Sequence, residues 1–450
     1  MQELRPALEP LGKQSFFVKK DCFLGLALLA LLFSAPAFHL TGSIWAGSLL
    51  RKDLVLGALA AATLVYSVAV WRALHGRPMA VWWVIAVALV ARAGLVAVPP
   101  FMSSDIYRYV WDGHVQAAGI NPYVHVPNDA ALAGLRDAAV YPNINRLDYA
   151  HTIYPPAAQL LFWAADAIGT SVVATKIVLL GLEAAGMAAL WRILRLAGLP
   201  GDRLLIYAWN PLAIWAFAAD GHVDAAALGL LLLALLAQFA GRRGVAGAML
   251  AGAVLVKFLP IVVAPALWRR WDWRLPAAFI AAVSALYACY LGAGWHVLGF
   301  LPAYAHEEGM TQGGGFWALA LLGALVRLPS FAGAAYFAGC ALALSGLAAW
   351  MVARQTILSG PAEMRRVCSN AGILAGGTML AMSPHYGWYF PWLAAFAAVV
   401  PWRSLLFLGC APLVLYADPY HTTLSIPTLV FLPGLLLAAW DFRKGHPVAA

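Results

Sequence analysis

The residues best equipped for chemistry lie in Ser103 to Tyr123, SSDIYRYVWDGHVQAAGINPY, directly after an apolar run that ends at Pro99-Pro100. A helix over 104–118 would place Asp105, Arg108 and Asp112 at i, i+3 and i+7 on one face, with Tyr109 beside them. A carboxylate, a guanidinium and a second carboxylate in one stripe can take a proton from a hydroxyl and offer a cation to a phosphate. The same residues admit a plainer arrangement, in which Asp105 caps the helix after Ser103-Ser104 and Arg108 pairs with Asp112. Gly119-Ile120-Asn121-Pro122 then ends the helix, because Gly and Asn tolerate the cap conformation and Pro122 cannot continue it.

Further along, Asp220-Gly221-His222-Val223-Asp224 gathers two carboxylates and an imidazole. With Tyr109 and Asp112, His222 and Asp224 are candidates to bind the hydroxyl groups of a substrate, and such carboxylates also suit a divalent ion. Lys257 stands in an apolar segment, where a lysine is costly unless it meets an anion. It is the first candidate for a phosphate, with pairing to Asp220 or Asp224 as the other assignment. Arg108 could serve the same phosphate in place of Asp112. His296, His306, Glu307 and Glu308 are metal-ligand types, but their spacing matches no motif and fits a solvated loop. The five cysteines show neither C-x-x-C nor Cys/His spacing, so no disulfide framework and no zinc are expected. One phosphate can be neutralised by Lys and Arg alone, and no compact D-x-D occurs at the loop start. A cofactor is therefore not required, although a divalent cation is possible.

The elements that position these groups must be membrane helices. Of the 450 residues 63% are hydrophobic and 11% charged, with a mean hydropathy of +0.78, which excludes an ordinary soluble domain. The net charge of +9 comes in small groups between apolar runs, so it orients helices and does not point to nucleic acid. The pattern predicts an all-α polytopic membrane protein with about 12 full spans plus short re-entrant or interfacial helices. The positive-inside rule puts the N-terminus, with Arg5, Lys13, Lys19 and Lys20, and the C-terminus, with Arg443 and Lys444, in the cytoplasm. Ser103 to Tyr123 then faces the opposite side. Residues 1–98 lead to this loop, 99–170 form it, and 171–450 complete a single membrane domain. The apolar segment to Ile168 reads as an interfacial helix, and the stretch around Lys257 as a broken hairpin with the lysine at its tip. Arg92, inside the third span, could snorkel or reach a buried anion, and Asn210 could satisfy carbonyls freed by Pro211.

The D-x-Y-R-Y-x-W-D-G stretch with its G-x-N-P-Y continuation resembles the first outer loop of bacterial GT-C glycosyltransferases. More narrowly it is similar to integral-membrane mannosyltransferases that use polyprenyl-phosphate mannose. Tyr154-Pro155-Pro156, Asn210-Pro211 to Asp224, Lys257-Phe258-Leu259-Pro260 and Ser383 to Trp392 extend the resemblance over most of residues 100 to 395. Two spans precede the helix that leads into the loop, where many GT-C enzymes need only one. The resemblance implies a GT-C fold in the bacterial inner membrane. It also implies a general base at Asp105, and a late aromatic, histidine-containing turn, here His385 and Tyr386, near the donor phosphate. The partners it implies are a polyprenyl-phosphate sugar donor, a lipid or glycan acceptor on the periplasmic side, and membrane lipids. A flippase for lipid-linked saccharides would need polar residues in mid-membrane, and a ligase using a diphosphate donor more arginine in the outer loops. A structural subunit would have little use for acidic groups gathered on one face.

Overall fold

A computed structural model describes residues 11–41, 48–356, 358–418 and 422–444; residues 1–10, with Arg5, and 445–450 lie outside them. Every regular element among the described residues is a helix. This follows from apolar surroundings, in which backbone polar groups must bond within their own segment. Four helices are long and apolar enough to cross a bilayer, Lys52–Leu74, Val172–Leu196, Ala332–Ala353 and Ser425–Arg443. Two bent pairs, Pro211–Ala219 with Asp224–Phe239 and Arg274–Ala288 with Leu291–Leu298, raise the number to six. Of the twelve full spans expected, the described residues thus hold four to six. The difference has a physical source, since an apolar run reads as a span whether or not the chain breaks inside it. The apolar runs 204–219 and 225–240, for example, contain one bent pair, Pro211–Ala219 with Asp224–Phe239, whose halves turn by 118°.

The helices that position the site are α1 (Val81–Leu95), α2 (Asp105–Ala117), α3 (Pro156–Asp166), α4 (Val172–Leu196), α5 (Asp224–Phe239), α6 (Arg243–Val256) and α7 (Leu301–Glu307). Buried polar contacts tie them together. Arg92 of α1 meets both carboxylate oxygens of Glu183 on α4, at 2.8 and 2.7 Å, and Tyr207 donates to the same carboxylate at 2.6 Å. Arg92 thus reaches a buried anion, and breaking such a pair would leave an uncompensated charge in the apolar core. Lys176 of α4, fully buried, donates to the carbonyls of Val98 and Ala219. One ammonium therefore joins the start of the first loop to the bend before α5. At that bend Asp220 Oδ1 accepts the backbone N–H groups of Phe101 and Met102, at 2.9 and 3.0 Å. Gly221 makes the bend possible, with φ +75° and no room for a Cβ, which would strike Ile106 and Lys176.

The predicted helix in the first loop forms as α2 and ends at Gly119, whose φ is +78°. It packs against α3 across a hydrogen-bonded seam, in which Gln116 Nε2 donates to Gln159 Oε1 at 2.9 Å and Tyr290 donates to Gln116 Oε1 at 2.7 Å. Asn210 accepts from the N–H groups of Leu212 and Ala213 and donates to the Gly409 carbonyl. It caps the turn that Pro211 starts, rather than serving the carbonyls that the proline frees. After α6 the chain leaves helical geometry at Lys257 and continues through the short helices Leu259–Val263 and Ala264–Leu267. Arg243 at the start of α6 ion-pairs with Asp272 beyond these turns, so the segment folds back on itself.

Candidate active site

The first turn of α2, residues 145–155 of the first loop, Val256–Leu259, α7 and the turn Tyr386–Tyr389 surround a cavity of about 640 Å³. Asp105 opens into it as the first residue of α2. Its carboxylate does not cap the helix; Oδ1 accepts from Asn145 Nδ2 at 3.0 Å. Oδ2 lies 3.9 Å from Nδ1 of His222, and the side chain is 26% exposed. Burial raises the Asp105 pKa above the usual carboxylate range, opposed by the Asn145 hydrogen bond and by Lys257 and Arg146 nearby. A carboxylate poised in this way accepts a proton more readily than a free one.

Three cations line the same cavity. Arg108 donates through Nε to Asp112 at 2.8 Å and through Nη1 to the Ala150 carbonyl at 2.9 Å. Lys257 Nζ meets both oxygens of Asp224, at 2.7 and 2.8 Å, and rests 3.8 Å from the centre of the Tyr389 ring. Arg146 bonds Glu307 at 2.7 Å and stands 4.0 Å from Glu308. Glu308, also in the lining, has its pKa raised by burial. One wall is a stack of three rings: His222 lies on Trp388 at 4.1 Å, and Trp388 on Tyr386 at 4.4 Å. Both faces of Trp388 are covered in this stack.

Of the residues singled out in the sequence, Asp105, Arg108, Tyr109, Lys257 and Tyr386 line the cavity. His222 and Asp224 stand behind that lining, next to Asp105 and Lys257. His222 is 1% exposed and its Nε2 finds no hydrogen-bond partner among the described residues. Asp112 is buried away from the cavity, held by Arg108 and by Gln159 Nε2 at 3.0 Å. His385 is not part of the lining. Asn145, Arg146 and Tyr304 are there without having been singled out as site residues, and Glu308, expected in a solvated loop, lines the cavity as well. Nothing in their spacing points to Asp105; only the excess of polar residues in two long loops marks them. Among the described residues no three His, Cys, Asp or Glu side chains gather closely enough to hold a metal ion.

Residues 24–272 match the model of the alpha-(1->6)-mannopyranosyltransferase family, N-terminal domain. The chain belongs to this family. Alpha-(1->6)-mannopyranosyltransferase A of Corynebacterium glutamicum is 30% identical over 188 residues, 38% of this chain. The matched stretch spans 35% of that relative's length, about a third. No solved structure matches significantly. The family region contains Asp105, Arg108, Asn145, Arg146, His222, Asp224 and Lys257. Tyr304, Glu308 and the Tyr386–Tyr389 turn come from beyond it, so the cavity is completed by chain outside the family match.

Proposed function

We propose that the protein is an inverting mannosyltransferase of the bacterial inner membrane, which moves mannose from a polyprenyl phosphate to a lipid or glycan acceptor on the periplasmic side. The observation that carries this reading is the Asp105 carboxylate, opening into a large cavity of a membrane protein whose family is that of mannosyltransferases. The acceptor oxygen attacks the anomeric carbon, and the bond from that carbon to the phosphate oxygen breaks with its electron pair. Asp105 takes the acceptor proton, and the leaving phosphate departs with two negative charges spread over its oxygens. Asn145 and His222 flank the two carboxylate oxygens and hold them toward the cavity. A beta-linked donor gives an alpha-linked product. The charge on the phosphate is met by cationic side chains, so no cofactor is required, and a divalent cation would add to them. Both termini are cytoplasmic in this reading, and nucleic acid plays no part.

The test is transfer of labelled mannose by the purified protein in vesicles that contain extracted membrane lipids. Polyprenyl-phosphate mannose is offered in one arm and a nucleotide-linked mannose in the other. The reading predicts product only with the lipid phosphate; product only with the nucleotide sugar would overturn it.

A further inference from the structure

Each cation in the cavity already has a carboxylate partner, and the three differ in how easily that partner could be exchanged. Arg108 is 5% exposed and held at two nitrogens. Lys257 is held by both oxygens of Asp224 and by the face of Tyr389. Displacing the partner of Arg108 would strand a charge in a water-poor interior, which is costly, and the Lys257–Asp224 pair, with side chains 20% and 13% exposed, has limited access to water. Arg146 is different. Only its Nε reaches Glu307, with the side chains 31% and 30% exposed. Water already shares these charges, and an ion pair of this kind contributes little net stability. The other oxygen of Glu307 accepts from the Tyr149 hydroxyl at 3.0 Å, a bond that does not involve Arg146, so another anion can take the place of Glu307 on the guanidinium.

Arg146 is also built into position. Its φ of +53° lies in the left-handed region, which residues other than glycine seldom adopt. The preceding residue, Asn145, bonds the Asp105 carboxylate. Its guanidinium lies 5.8 Å from the centre of the Tyr304 ring, a contact that would keep it at the cavity when Glu307 leaves. Glu307 itself is not in the cavity lining, whereas Arg146 is.

We propose that Arg146 receives the phosphate of the lipid-linked donor and that Glu307 occupies it meanwhile as an exchangeable stand-in. The proposal rests on the lipid-phosphate reading above. It shifts the donor contact from Lys257, which Asp224 holds with both oxygens, to an arginine whose planar fork suits a phosphate.

Binding of labelled polyprenyl phosphate to the full chain in detergent, without acceptor or sugar, isolates this step from turnover. Arg146→Gln should weaken binding about tenfold or more, and Glu307→Gln should tighten it several-fold by removing the competitor. Both substitutions break the same ion pair, so a purely structural latch would move both affinities in one direction. Opposite shifts support the proposal. Binding that is unchanged in Arg146→Gln, or weakened in both variants, overturns it while leaving the donor class intact. A wild-type protein that binds no polyprenyl phosphate overturns the donor reading and the proposal with it. If Arg146→Gln does not fold, Glu307→Gln decides alone, and weaker or unchanged binding there overturns the proposal.

Discussion

Asp105 and Asp112 stand two turns apart on one side of α2, and the fold treats them in opposite ways. Asp112 has an oxygen on Arg108 and an oxygen on Gln159, which in turn donates to Thr152. Asp105 has one hydrogen bond, from Asn145, and a carboxylate edge open to the cavity. The first has a donor on each oxygen and holds the loop together; the second leaves Oδ2 without a hydrogen bond among the described residues, beside the cavity. The same loop decides both outcomes, since residues 150–152 fold onto the far end of the stripe and residue 145 onto its near end. Chemical identity and helical phase do not separate the proposed base from a strut. What separates them is how many donors the rest of the chain delivers to each carboxylate.

This contrast can be broken at either end. The largest effect on stability is expected for Asp112→Ala, which leaves the Arg108 guanidinium buried without its counter-charge and should cost about 3–5 kcal/mol, read as a loss of unfolding temperature in detergent. Asn145→Ala acts on the other carboxylate. It removes a bond that lowers the Asp105 pKa, so the acid limb of kcat/KM against pH should move to higher pH, with a loss of about tenfold below it. An unmoved limb would separate Asn145 from the base. Asp105→Asn should not destabilise the protein at neutral pH. Because the folded-state pKa is raised, ionised Asp105 costs stability above that pKa, and the amide removes the cost. Its unfolding temperature should equal or exceed that of the wild type at neutral pH, the difference vanishing as pH falls below the ordinary carboxylate range. The smallest change is expected for His222→Phe, which keeps the stack on Trp388 but loses the imidazole 3.9 Å from Asp105. A fall in kcat of about fivefold or less, with KM held, would fit a positioning role.

The parts of this account that were legible in the sequence are the local ones. The phase of Asp105, Arg108 and Asp112 and the stop at Gly119 follow from residues within a few positions of one another, and the break at Lys257 from the short apolar stretch between Arg243 and Arg269. Pairing of Arg108 with Asp112, and of Lys257 with Asp224, stood among the alternatives, because an apolar setting leaves few ways to keep a charge. The rest depends on distant contacts. Asn145 meets Asp105 forty residues away, and Arg146 meets Glu307 across a hundred and sixty-one. Lys176 sits in the apolar first turns of α4, and its two carbonyl partners, Val98 and Ala219, carry no side-chain mark. The count of spans was the least legible feature. Hydropathy does not register the 118° turn that Gly221 permits between two apolar runs.

The central claim is that Asp105 and not Asp112 is the base, and single-turnover transfer of labelled mannose by Asp105→Asn and Asp112→Asn, each checked for retained fold, tests it most directly. The account predicts that Asp105→Asn loses about a hundred- to ten-thousandfold in rate, while folded Asp112→Asn stays within about tenfold of the wild type. Near-normal turnover in a folded Asp105→Asn protein, or a larger loss in Asp112→Asn, would contradict it.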